Sequence, residues 1–194
     1  TTGMDALTHA IEAYIGRSNT KETKAMALQS TKLIFDHLLL AYEDGANMHE
    51  RGQMQKASYY AGVAFTRAYV GYVHAIAHSL GAYYNTAHGL ANAVILPIVL
   101  EAYGESVYES LSELAIEIGA GSIDQTPKEN ALILIRKIKE LNSKMEIPEK
   151  MDDLQKEDIM VLANHAQKEA NPLYPVPRIF DTNQLVELYE RLLH

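Results

Sequence analysis

Asp5 and His9 stand four residues apart, His74 and His78 repeat that interval, and His88 comes ten residues later. On a helix, residues four apart project from the same face, so each pair aims its side chains together. Five donor groups in two short segments are dense for a chain with 8 histidines in all. Imidazole and carboxylate without thiolate suit Fe(II), Mn(II) or Zn(II). The bland alternative is real. An isolated Asp-x-x-x-His pair is more often a solvated helix face. The His74 and His78 pair is more demanding, because Val73, Ala75, Ile76 and Ala77 around it are apolar. Imidazoles buried there cost free energy unless each ring nitrogen finds a partner, and a shared ion would supply one. Spacing alone leaves both readings open.

Composition narrows the chemistry. The chain has no cysteine, which rules out disulfides, thiolate zinc sites and cysteine nucleophiles, and fits a reducing cytoplasm. The net charge is −8, with 17 basic residues scattered among 25 acidic ones and no basic block. Neither nucleic acid nor a bare anionic membrane surface is an expected partner. The longest apolar stretch, Leu90 to Ala102, is broken by Asn92, Pro97 and Glu101 and falls short of the ~18 residues of a membrane span. At 194 residues the chain is one domain, or at most two small ones, able to bury roughly 70% of its unfolded surface. It opens at Thr1 without Met and runs directly into helical sequence, which reads as part of a longer protein.

The elements that must position these groups are helices. Nearly every segment has helical period and none alternates long enough for a strand, so the expected fold is an all-α bundle. The spacing of Thr2 and Asp5 predicts a capping box and a helix to about Ile15; Asn19 with Glu22 predicts the cap of a second, to about Tyr42. Further helices are expected over about His49–Tyr69, Val73–Tyr84, Gly89–Tyr103, Glu105–Ile118, Thr126–Leu141, Gln155–Glu169 and Asn183–Leu193. Gly89–Tyr103 is apolar on most sides and reads as the central buried helix, with Pro97 predicting a kink or a first-turn position.

Two longer blocks carry a resemblance. The run Thr2-Gly3-Met4-Asp5-Ala6-Leu7-Thr8-His9-Ala10-Ile11-Glu12-Ala13-Tyr14 resembles the segment that opens the C-terminal domain of the iron-containing (group III) alcohol dehydrogenases. His74-Ala75-Ile76-Ala77-His78-Ser79-Leu80-Gly81-Ala82-Tyr83-Tyr84-Asn85-Thr86-Ala87-His88-Gly89-Leu90-Ala91-Asn92-Ala93 resembles that family's second block. The departures are Ser79 and Ala87, where the family often has proline; they flank the histidines and leave them in place. The resemblance implies a dehydroquinate synthase-like helical domain over residues 1–194, with an upstream α/β nucleotide-binding domain that this chain lacks. Carried over position by position, it implies that Asp5, His9, His74 and His88 ligate the metal, Fe(II) first and Zn(II) as the alternative. It places His78 beside the metal as the catalytic group near substrate and nicotinamide, against the alternatives of a further metal contact or a packed core histidine.

The activity implied by the resemblance is that of a metal-binding oxidoreductase half, interconverting a small primary alcohol or diol and its aldehyde with NAD or NADP. One carboxylate and three neutral imidazoles around a 2+ ion leave a net +1 centre suited to polarising such an oxygen. The isolated chain is expected to bind metal without turning over alcohol; a homodimer is left open. The same fold also hosts zinc-dependent glycerol dehydrogenases and dehydroquinate synthase, and a non-catalytic helical domain is the remaining alternative. A hydrolase of the adjacent His-Asp type is disfavoured, because neither a His-Asp dipeptide nor HExxH occurs.

Other features read more plainly. Gly119-Ala120-Gly121-Ser122 comes after a helix and lacks the third glycine of a dinucleotide loop, so it reads as a helix stop. His37, His49 and His194 are expected in solvent, and His165 on the surface with Glu169 four residues on. Asn171 to Pro177 reads as a buttressing loop rather than a PxxP ligand. Tyr59, Tyr60, Tyr69, Tyr72, Tyr83 and Tyr84 read equally as cavity lining or core packing.

Overall fold

The computed structural model describes residues 1–194 and contains helices without strands. These are α1 (Thr2–Ile15), α2 (Lys21–Glu43), α3 (Met48–Ala68), α4 (Tyr72–Tyr84), α5 (His88–Tyr103), α6 (Tyr108–Glu117), α7 (Pro127–Lys144), α8 (Ile159–Ala170) and α9 (Thr182–Glu190). Single 3-10 turns at Gly104–Val107 and Lys156–Asp158 lead into α6 and α8.

Helices α1 and α5 form the interior. Every residue of α5 from Ala91 to Leu100 is buried, as a helix apolar all round requires. The pair α2 and α3 covers α1, α4 packs on α5 and α8, α6 and α7 pair beside α5, and α9 lies over α8. Pro97 sits inside α5 and has no N–H for the carbonyl of Ala93. The Asn142 side chain on α7 donates to that carbonyl at 2.7 Å, so the buried acceptor stays paired.

The helical run His88–Glu117 is long and apolar enough, by length and composition, to cross a membrane. The apolar stretch visible in the sequence ends at Ala102 and is shorter, because the 3-10 turn carries the helix through Gly104 into α6. The apolarity has a local cause: 67% of the window is buried inside this fold.

Several end signals differ from expectation. Thr1, not Thr2, precedes α1, and no side-chain cap bond forms there. Asp5 does not close a capping box, since its carboxylate turns to the Asn92 amide instead. The cap of α2 is Thr20 paired reciprocally with Thr23 rather than Asn19 with Glu22. Asn19 serves the previous helix, donating to the Tyr14 and Gly16 carbonyls at 2.8 and 2.6 Å. The expected Thr126–Glu129 box forms, and Asp181 with Gln184 makes another at α9. After α6, Gly119 adopts φ 72°, the left-handed stop that glycine allows.

The Asn171–Pro177 segment does buttress. Arg17 donates from its backbone to the Pro175 carbonyl at 2.7 Å and from its guanidinium to that of Pro177 at 2.6 Å. The tyrosines do not form one wall. Tyr72 is fully buried against Phe180, whereas Tyr59, Tyr69 and Tyr83 are exposed.

Candidate metal centre

Three helices converge on one carboxylate oxygen. Asp5 and His9 project from α1 with the interval of one helical turn, and His74 from the first turn of α4. His88 opens α5. The chain reverses between α4 and α5 at Asn85, which takes the left-handed conformation at φ 57° and ends α4 on the Gly81 carbonyl. That reversal returns His88 to the side of His74. The Nε2 atoms of His88, His74 and His9 lie 3.3, 3.6 and 3.8 Å from Asp5 Oδ1. One donor atom from each of the four residues lies within 4.8 Å of the others.

A second carboxylate sets the orientation. Glu12 is buried, and its Oε2 accepts from His74 Nδ1 at 2.6 Å and from the Gly71 backbone at 2.8 Å. Its Oε1 accepts from the Val73 N–H at 2.8 Å. When the ring is neutral, Glu12 holds its proton on Nδ1 and the Nε2 lone pair of His74 faces the cluster. Gly71 has to be glycine for this contact: a Cβ there would stand 2.7 Å from Glu12 Oε1. Asn92, one turn after His88, donates to Asp5 Oδ1 at 2.6 Å and lies 3.1 Å from His88 Nε2. The His9 ring stacks on Phe65 of α3 and on His74, with centroids 4.0 and 4.1 Å away.

The electrostatics describe a site short of positive charge. Burial pushes the Asp5 carboxyl up, but His74, His9, Asn92 and His88 around it outweigh that and bring it to about 2. Burial acts to lower His74 as well. The Asp5 and Glu12 carboxylates facing its two ring nitrogens overcome it and raise the imidazole to about 9. Burial and the neighbouring His74 lower His9 to about 4, and burial lowers His88.

A divalent cation fits this donor set. His74 Nε2, which faces Asp5, is buried without a hydrogen-bond partner, a costly arrangement unless something accepts its lone pair. Three imidazoles and a carboxylate are the ligands that Fe(II) and Zn(II) take. His78 stands outside the four. Its ring stacks on His88 at 5.3 Å between centroids, and its side chain is 45% exposed.

The remaining histidines depart from expectation in two places. His37 is half-buried, its Nδ1 2.6 Å from Glu50 Oε2, because α3 returns alongside α2 and brings Glu50 opposite. His165 is exposed as expected, but Glu169 does not pair with it; that carboxylate lies 2.7 Å from His78 Nδ1. His49 is exposed, and His194 is exposed with Asp152 beside it. Sequence reasoning assigns no role to Glu12 or Asn92, and gives Glu169 only a surface pairing with His165. For Glu12 a signal exists, since Asp5, His9 and Glu12 lie on one helical stripe, as do His88 and Asn92. Glu169 reaches His78 across 91 residues, and no local pattern announces that.

The model of the Fe-containing alcohol dehydrogenase family, C-terminal, matches residues 1–193. Alcohol dehydrogenase 4 of Saccharomyces cerevisiae is 40% identical over 194 residues, covering 98% of this chain and 49% of that protein. The 1,3-propanediol dehydrogenase of Citrobacter freundii is 36% identical over 192 residues, with 98% and 49% covered. The crystal structure of a 1,3-propanediol oxidoreductase matches with a TM-score of 0.94 at 35% identity, over 99% of this chain and 50% of that one. The chain spans about half the length of the curated relatives it matches. It belongs to the Fe-containing alcohol dehydrogenase family, as that family's all-helical C-terminal domain.

Proposed function

We propose that residues 1–194 are the metal-binding catalytic half of a nicotinamide-linked dehydrogenase that interconverts a small primary alcohol or diol and its aldehyde. The observation that carries this reading is the convergence of three imidazole nitrogens on Asp5 Oδ1, with His74 Nε2 buried and unpartnered. Family membership and similarity to alcohol and 1,3-propanediol dehydrogenases support the substrate class.

Asp5, His9, His74 and His88 would hold the ion, which supplies Lewis-acid polarisation of an alcohol or carbonyl oxygen. Glu12 keeps the His74 proton on Nδ1, so that donor is oriented before the ion arrives. Asn92 holds the Asp5 carboxylate with its amide. Phe65 packs against the His9 ring and keeps water from that face. His78 is partly exposed beside His88, a place from which an imidazole can pass a proton between a substrate at the ion and solvent.

The chain contains no strand leading into a glycine-rich phosphate cradle, so we assign NAD or NADP binding to the upstream half of the full-length relatives. Iron is the first choice of metal, zinc the second. The test is anaerobic expression with the upstream half restored, with turnover of 1,2-propanediol, ethanol and butanol then measured with each cofactor. Metal-dependent oxidation of at least one alcohol is the expected result. Full metal loading with no alcohol oxidised by either cofactor would move the assignment to the lyase-like members of the fold.

A further inference from the structure

The carboxylate that meets His78 comes from an unexpected direction. Helix α8 packs on α4, and its last turn carries Glu169 to the side of His78. Glu169 Oε1 lies 2.7 Å from His78 Nδ1 and accepts the Tyr174 hydroxyl proton at 2.7 Å. Tyr174 is fixed in turn. Its backbone N–H donates to the Ala170 carbonyl at 2.7 Å, and the next residue, Pro175, is held by the Arg17 N–H. Burial, reinforced by Glu169, raises the Tyr174 hydroxyl above its ordinary range, so it remains a donor at neutral pH. The loop therefore does more than buttress: it delivers a hydroxyl that holds Glu169 in place.

The arrangement repeats, one helical turn later, what Glu12 does for His74. In both cases a carboxylate from another helix takes Nδ1 and leaves Nε2 as the second nitrogen of the ring. The difference lies in exposure: Glu12 is buried, whereas the Glu169 side chain is 33% exposed.

We propose that Glu169 is a positioning residue for His78, fixing its ring and its Nδ1–H tautomer so that Nε2 is the nitrogen left with a lone pair. This rests on the reading of His78 as the proton-handling imidazole beside His88. A carboxylate at this distance makes a charge-assisted bond, which biases the tautomer ratio by about tenfold or more.

The experiment uses the chain labelled with 15N at histidine, loaded with Zn2+ and held at pH 8, where an ordinary imidazole is neutral. Long-range 1H–15N spectra assign His78 by comparison with His78→Gln. The wild-type chain should carry the proton on Nδ1. Glu169→Ala should shift the ratio toward Nε2–H by about tenfold or more, with zinc stoichiometry unchanged. Glu169→Gln retains an acceptor oxygen and should restore most of the wild-type signal. The same tautomer in wild type and Glu169→Ala overturns the proposal, and so does a wild-type His78 protonated on Nε2. Zinc content of the same samples tests the underlying metal reading separately: the expected tautomers in a chain that takes up no zinc would keep the role of Glu169 and remove the metal centre.

Discussion

The two ends of α5 both gather charged side chains from other helices, and they resolve those charges in opposite ways. At the C-terminal end, Glu101 lies beside Lys139 of α7, at 2.5 Å, and beside Arg191 after α9. Each charge there has a partner, and solvent reaches all three. A cleft of about 450 Å³ runs along this side past Val94, Pro97, Ile98 and Asn142 and touches none of the four candidate ligands. At the N-terminal end, His88 and Asn92 meet Asp5, His9 and His74 with Glu12 behind them. Here two carboxylates share a single raised imidazole, and its buried Nε2 has no hydrogen-bond partner. An exposed ion cluster completes itself and contributes little. A buried set of converging lone pairs is costly until a cation joins it.

The contrast can be broken most forcefully at Glu12. Glu12→Ala strands the Gly71 and Val73 N–H groups and the His74 ring, and should destabilise the fold by about 3 kcal/mol or more in urea unfolding. The milder Glu12→Gln should fold and lose about 10–100-fold in metal affinity, measured by zinc titration against a competing chelator. If either variant matches the wild type, the buried end is no more demanding than the exposed one. Gly71→Ala sharpens the same point, because the new methyl would displace Glu12. A loss of about 1–3 kcal/mol is expected in the same unfolding experiment.

The smallest effect belongs to the other end. Burial pushes the Glu101 carboxyl up, and Lys139 and Arg191 outweigh it, so its folded-state pKa is lowered. A lowered folded pKa adds stability above the ordinary carboxylate range of about 4.3, and that contribution is lost as pH falls through the folded value. Glu101→Gln should therefore cost at most about 1 kcal/mol at pH 7, and nothing once the wild-type carboxyl is protonated in acid. Thermal unfolding of both proteins over a pH series falling from 7 checks both the size and the sign.

The four donors of the buried end are legible through the family resemblance, whereas local geometry supplies only their spacing within each block. The one-turn interval from Asp5 to His9, and the Asn85 reversal that separates His74 from His88, are set by residues close in the chain. The helix starts differ from expectation where two short polar side chains compete for the same job. Asn19 caps the end of α1 instead of the start of α2, and Asp5 gives up a helix-capping role for the Asn92 amide. The contacts that orient the imidazoles are not legible, since Glu12 meets His74 and Glu169 meets His78 only after helices pack. Periodicity says which face a side chain takes, not what another helix will bring to it.

Metal analysis of the anaerobically prepared chain, beside His74→Ala, bears most directly on the four converging donors. One divalent ion per wild-type chain, lost when His74 is replaced, is the predicted outcome. A folded wild-type chain that binds neither iron nor zinc, or a His74→Ala chain that holds the ion as tightly as before, would contradict it.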